Sequence, residues 1–266
     1  MLVRVTVLGK SPSWQDADGA CSGYLVEDGD TTLLLDCGNG VFAKLREHVD
    51  YVDVDAVLIS HLHADHFIDL VPFSYALLLS PRQQPVPVAG YPGTDDPARP
   101  RLIAPAAAQQ TFRTVVGAWG DETLIEAAFR LESYDEGSTV EIGSLRASFA
   151  PVPHFITTYA VNFTSANGGG RLTFSADCRP CDELVDAARG TDLLLVEATL
   201  PRPERTGIRG HLTPGEAGEH ARRAGAGRVV LTHISDELDA DWAREEGSEA
   251  FGAPVEVARE GSVLEL

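Results

Sequence analysis

Short apolar runs recur along the chain, each closed by Gly, Asp or a polar turn. Residues 2–8, 23–28 and 31–36 read as strands, and a helix follows near 40–48. The run at 56–59 reads as a buried strand, and 65–79 as a long amphipathic stretch. Further strands are predicted at 145–153, 159–164, 171–176 and 228–232. They alternate with helices near 181–189, 213–224 and 239–250. The turn Asn167-Gly168-Gly169-Gly170 makes 159–176 a hairpin. A Pro/Gly-rich stretch runs from Pro81 to Pro105, through Tyr91-Pro92-Gly93 and Asp95-Asp96-Pro97. It reads as a surface connection with irregular turns. Phe67, Phe73, Tyr75 and Trp119 read as core at helical spacing.

The 266 residues are 44% hydrophobic. That suffices for one large two-layer core, so a single domain over 1–266 is expected. No apolar run reaches 18 residues, so no membrane span is predicted. The chain enters a strand at once with no signal peptide, so a cytoplasmic location is expected. Among four Cys, only Cys178 and Cys181 are close. A lone C-x-x-C reads as a turn into a helix, with no redox or metal partner.

The densest chemistry is His61-Leu62-His63-Ala64-Asp65-His66, directly after the 56–59 strand. Residues two apart on a strand face one side, so His61 and His63 can point at one ion as the strand ends. A helix starting there can swing Asp65 and His66 toward a second. Two sites need more ligands, and these sit where later strands end: His154, Asp177 and His233. His61, His63 and His154 are assigned to the first ion, and Asp65, His66 and His233 to the second, with Asp177 bridging. The donors are nitrogen and oxygen only, which suits zinc and also admits manganese or iron. Such a pair polarises a substrate oxygen and supplies hydroxide at neutral pH. His48 and His220, in helical runs, read as solvated.

The His-x-His-x-Asp-His string, followed by His154, Asp177 and His233, resembles the metallo-β-lactamase superfamily over nearly the whole chain. The resemblance implies an α/β fold of the αββα type, two mixed sheets face to face with helices outside and metals at one edge. Leu195-Val196-Glu197-Ala198-Thr199, His211-Leu212-Thr213 and Leu231-Thr232-His233-Ile234-Ser235 resemble its phosphodiesterase branch, which holds ribonuclease Z and smaller enzymes acting on cyclic nucleotides. There a Glu and a His protonate the leaving group, which carries over to Glu197 and His211. With Asp65 these form the expected catalytic set. His211 precedes a helix start at Thr213-Pro214-Gly215-Glu216, a place that favours phosphate oxygens.

Charge bears on the substrate. The net charge is −19, and Lys10 and Lys44 are the only lysines. A nucleic-acid binder needs clustered Lys and Arg, so a small phosphodiester such as a cyclic nucleotide is expected. Bacterial ribonuclease Z carries a tRNA-binding arm between the equivalents of His154 and Asp177, and here 22 residues separate them. Ribonuclease Z-type tRNA 3′-processing is the alternative, and a non-catalytic scaffold of the same fold the alternative of another class. Relatives in this branch form dimers, so a homodimer is expected by analogy. Lys10 to Trp14 is placed at the site edge, and substrate-contact residues are unassigned.

Overall fold

The computed structural model describes residues 3–204 and 206–266. It contains two seven-stranded mixed sheets. The first holds β1 (Arg4–Gly9), β2 (Gly23–Asp28), β3 (Thr31–Leu35), β4 (Ala56–Leu58), β5 (Arg101–Pro105) and β6 (Arg130–Tyr134), in that spatial order. The second runs in order through β7 (Thr139–Ile142), β8 (Leu145–Val152), β9 (Thr158–Ser165), β10 (Arg171–Phe174), β11 (Leu193–Glu197), β12 (Arg228–Thr232) and β13 (Glu256–Val257). The chain then returns to the first sheet, where β14 (Val263–Glu265) pairs antiparallel with β1. Each sheet is antiparallel at its start and parallel after: β3 through β6 in one, β10 through β13 in the other.

Helices cover both outer faces. α1 (Val41–His48), α2 (Ala64–Phe67), α3 (Leu70–Leu79), α4 (Ala108–Gly117) and α5 (Leu124–Ala128) pack on the first sheet. α6 (Asp182–Ala187), α7 (Pro214–Ala224) and α8 (Ala240–Phe251) pack on the second. Strands buried on both faces must be apolar at every position, and β3 shows the consequence. Leu33 and Leu35 join the layer between the sheets, while Leu34 faces the helices. The expected αββα sandwich is therefore present.

Most expected elements fall within two residues of their sequence positions, including the 159–176 hairpin, whose strands pair antiparallel. Four expectations are corrected, the last that Trp119 is core. The 65–79 stretch breaks into α2 and α3, because the Asp69 carboxylate accepts from the Phe42 amide at 2.9 Å and the Asp69 amide donates to Cys37. Residues 101–105, read as surface connection, form the buried strand β5. His220, read as solvated, is buried: its Nδ1 donates to the Glu216 carbonyl, and its Nε2 accepts from the Cys181 amide at the start of α6. Phe67 and Phe73 are core, while Trp119 is exposed and donates to the Tyr75 hydroxyl. No helix among the described residues is long and apolar enough to cross a membrane.

Phe174 ends β10 in the layer between the sheets, its ring 5.3 Å from that of Tyr24 on the facing sheet. Phe174→Ala is expected to cost about 3–5 kcal/mol of stability by opening a cavity there. Equilibrium urea unfolding measures this, and a loss below about 1 kcal/mol would show that the sheets close around the gap.

Candidate metal centre

The parallel strands deliver their C-terminal ends to one edge of the sandwich, where open sheets of this kind carry ligands. His61 and His63 follow β4, Asp177 follows β10, Glu197 ends β11, and His233 follows β12. His154 lies just beyond β8. Two buried tyrosine hydroxyls bond near this edge, that of Tyr134 within the first sheet and that of Tyr24 across to the second. The Tyr134 hydroxyl reaches the Ile59 carbonyl at 2.7 Å, and the Tyr24 hydroxyl pairs with Thr232 at 2.6 Å. At Gly38 a side chain would fall 1.9 Å from the Asp65 carbonyl oxygen, so glycine permits the close approach that seats α2.

All seven sequence-assigned residues converge. Donor atoms of His61, His63, His154 and Asp177 lie within 4.8 Å of one another, and so do those of Asp65, His66, Asp177 and His233. Asp177 is common to both groups. Its Oδ2 lies 3.7 Å from His61 Nε2, 3.4 Å from His66 Nε2 and 3.4 Å from His233 Nε2. One local expectation differs. β4 stops at Leu58, so His61 and His63 are not on strand positions. His61 instead makes a backbone bridge to Thr158 on the other sheet, and His63 caps α2. Their ring nitrogens still meet at 3.2 Å.

The outer nitrogens fix which atom each ring presents. His154 Nδ1 donates to the Gly210 carbonyl at 2.9 Å, and His66 Nδ1 to Asp36 at 2.7 Å. His61 Nδ1 donates to the Ser60 hydroxyl at 3.1 Å, and His233 Nδ1 to that of Thr199 at 2.8 Å. Each pairing leaves the Nε2 lone pair facing inward, the arrangement found around metal-ligating imidazoles. The sequence reading missed Asp36, Ser60 and the role of Thr199. Asp36 is fully buried and accepts from His66, the Ser60 hydroxyl and the Ser60 amide. It follows the apolar run of β3, so the strand-end criterion used for Asp177 also marks it.

The site fits a divalent cation on two counts. His66 Nε2 and Asp177 Oδ1 are buried without a hydrogen-bond partner, a costly state unless another group engages them. The electrostatics also call for positive charge. Burial disfavours an imidazolium at His66, yet Asp177, Asp36 and Asp65 together push its pKa well above the usual value. Burial would raise the Asp177 carboxyl, but His233 and His66 hold it well below the carboxylate range. His61 is pushed down by burial and by neighbouring His66. Negative charge is thus concentrated around His66 Nε2, where a cation fits.

Glu197 and His211 stand beside these groups. The Glu197 carboxylate accepts from the Cys178 amide at 2.8 Å and the Thr199 hydroxyl at 2.8 Å. It also accepts from His211 Nδ1 at 3.1 Å. Burial opposes a charged His211, but the bond to Glu197 and its charge prevail and raise the pKa to about 9. His211 Nδ1 lies 3.9 Å from Asp177. The His211-bearing segment leads into α7, where Thr213 and Glu216 form the expected reciprocal cap with Pro214 at the first turn. Lys10 reaches the edge of the site, its ammonium donating to the Ile234 carbonyl at 2.9 Å.

Asp36→Asn should weaken metal binding about 10- to 100-fold, the usual effect of losing an outer carboxylate behind a ligating His. Chelator competition reads this, and unchanged affinity would show that His66 needs no such support.

The beta-lactamase superfamily domain family matches residues 31–234. The probable metallo-hydrolase YhfI of Bacillus subtilis (strain 168) is 28% identical, covering 99% of this chain and 100% of that protein. The YhfI crystal structure superposes with a TM-score of 0.84 over 100% of this chain and 99% of its own, at 27% identity. Ribonuclease Z of Myxococcus xanthus (strain DK1622) is 30% identical across 100% of this chain and 98% of that protein. Unliganded yeast PDE1 shares the fold at 13% identity, with a TM-score of 0.75 over 100% of both chains. The convergent histidines and aspartates thus lie where the matched sequence and the αββα sandwich coincide, and the chain belongs to the beta-lactamase superfamily, with the metallo-β-lactamase fold.

Proposed function

We propose that this chain is a dinuclear metal-dependent hydrolase of small phosphodiesters. His61, His63 and His154 would hold one ion, Asp65, His66 and His233 the other, and Asp177 both. Zinc suits this donor set, as do manganese and iron. When bound, the ions supply Lewis acidity toward phosphoryl oxygens and a water acidic enough to act as nucleophile near pH 7.

The observation that carries the phosphodiesterase reading is the Glu197–His211 pair beside the two donor groups. Cleaving a phosphodiester expels an alkoxide that needs a proton as the bond breaks. With a pKa near 9, His211 is protonated at neutral pH. Its Nδ1–H is held by Glu197, which leaves Nε2–H to donate to the leaving oxygen. Glu197 is itself fixed by Cys178 and Thr199, so the imidazolium stays oriented without reorganisation during the reaction.

Ribonuclease Z-type cleavage of tRNA precursors is the second reading, favoured by the identity with the Myxococcus xanthus protein. That alignment runs over 306 positions against 266 residues here, so the ribonuclease Z carries segments this chain lacks. The β9–β10 turn leaves only residues 166–170 between the strands, with no arm. The net charge of −19 also opposes a long polyanion. These features support a small substrate.

Turnover of metal-loaded protein on cyclic AMP, an aryl phosphodiester and a tRNA precursor, side by side, tests the reading. Cleavage of the diesters well above the tRNA precursor is expected, and the reverse order would restore tRNA processing. His211→Ala should slow turnover by about 10²–10⁴ while both metals remain, the usual worth of a general acid. Loss of metal in that variant would make His211 a ligand. Asp65→Ala should empty mainly the second site, and metal content measured by elemental analysis checks it.

A further inference from the structure

Cys178 and Cys181 form the one C-x-x-C of the chain, and neither thiol is a member of the donor groups found among the described residues. The sequence gives the pair no partner, and the structure makes each the partner of the other. Both side chains belong to the apolar cluster beneath α6 and α7, Cys178 fully buried and Cys181 at its partly exposed edge. The two thiols are hydrogen-bonded, Cys178 donating to the Cys181 sulfur. That bond is the main reason the Cys181 pKa lies below the usual thiol value. The sulfur that solvent can reach is therefore the one with thiolate character.

The backbone on either side is pinned. The Cys178 amide donates to Glu197 at 2.8 Å, and the Cys181 amide to His220 Nε2 at 3.0 Å. Between them the Arg179 amide donates to the Pro153 carbonyl at 3.0 Å, and the Pro180 ring fixes its own φ. These anchors hold the sulfurs together, so closing a bond between them takes little further freedom from the chain. They also wire the turn to the candidate centre. Asp177 directly precedes Cys178, and Pro153 directly precedes His154. Glu197 in turn accepts from His211 at 3.1 Å. A disulfide sets its sulfurs about 2.05 Å apart. Thiols in hydrogen-bond contact must draw closer to reach that, and the turn moves with them.

We propose that Cys178 and Cys181 are a reversible disulfide site, and that closing it displaces Asp177 and Glu197 and weakens metal binding. The effect on metal rests on Asp177 being a ligand, as under the proposed function. The oxidant is a low-molecular-weight disulfide. The Cys181 thiolate attacks one of its sulfurs and expels the other as a thiolate, leaving a mixed disulfide on Cys181. Cys178 then gives up its proton, attacks the Cys181 sulfur and expels the second thiolate. Counted from two thiols, two electrons and two protons leave the pair, and the oxidant ends as two thiols. Excess monothiol runs the same steps backward.

Two measurements on the full chain test it. In the first, the protein is equilibrated in glutathione redox buffers, quenched with acid, alkylated and read by mass spectrometry. As the glutathione disulfide fraction rises, the wild type should lose two alkylation sites and gain a cross-link between Cys178 and Cys181. Excess reduced glutathione should reverse both changes. Cys178→Ala should stop at a glutathione adduct on Cys181, and Cys181→Ser should form no cross-link. The absence of a cross-link at every ratio, or linkage of Cys21 or Cys37 in its place, overturns the proposal. In the second, chelator competition compares the oxidised and reduced proteins after small thiols are removed. Oxidation should weaken metal binding by about tenfold, the lower range for disturbing the support of a ligand. Cys181→Ser should show no change under the same treatment. A cross-linked protein with unaltered metal affinity overturns the coupling to the centre. A cross-linked protein that binds no metal in either form leaves the disulfide site standing and removes the ligand assignment.

Discussion

Asp36, Asp65 and Asp177 are buried together where the two sheets meet, and the site depends on supplying them with positive charge. Removing a carboxylate from water costs several kcal/mol unless it is paired. Here the partners are imidazoles, which can bear a proton or turn a lone pair toward a cation. His66 touches all three carboxylates: Asp36 at 2.7 Å, Asp65 at 3.5 Å and Asp177 at 3.4 Å. Those three carboxylates push its pKa well above the usual value although burial opposes the charge. A divalent cation would engage His66 Nε2 and Asp177 Oδ1, which no hydrogen bond reaches.

Holding these groups in place strains the backbone. Asp36, Ala176 and His233 each have positive φ, at 57°, 50° and 51°. All three sit just past the end of a strand at the site. A non-glycine residue in this region costs of order 1–3 kcal/mol and persists only where the surroundings over-determine it. The surroundings do so here. Ser60 bonds Asp36 twice, and the Thr199 hydroxyl accepts from the ring of His233. The sheets supply the rigid frame, and the turn at each strand end re-aims one side chain into the shared pocket. Thr199 also bonds Glu197, so the support of His233 and the orientation of the Glu197–His211 pair share one hydroxyl.

The sheets were legible because strands buried on both faces leave unbroken apolar runs, as at 31–36 and 228–232. The convergence was legible because each assigned residue follows such a run. What failed was local. Residues 101–105 carry Arg101 and Pro105 at their ends, which hid the strand among neighbouring turn signals. His220 lies on a helix whose polar residues suggested solvent, yet it is covered by α6, a contact that periodicity within one helix cannot reveal. The break between α2 and α3 follows from Asp69 bonding α1, again a long-range partner. Asp36 was overlooked because it bonds His66 and Ser60 from behind, and the ligand count was already complete without it.

Asp36 also changes the charge balance of the site. With two divalent ions bound as proposed, Asp65, Asp177 and a hydroxide would leave a surplus of about one positive charge. A third buried carboxylate removes that surplus. The attraction for an anionic substrate then rests on where charge lies rather than on how much there is. Asp36 sits behind His66, on the side away from the pocket, whereas His211 is the partly exposed cation at the mouth. Fields from the distant acidic surface decay over roughly 8 Å at physiological salt, while groups in contact do not feel that screening. On the proposed function, a single phosphodiester would meet His211 and the donor groups before it felt the −19 of the whole chain. A polyanion, extended over many Debye lengths, must lie against that surface as well. On that reading, the geometry suited to one phosphate would discriminate against a long row of them.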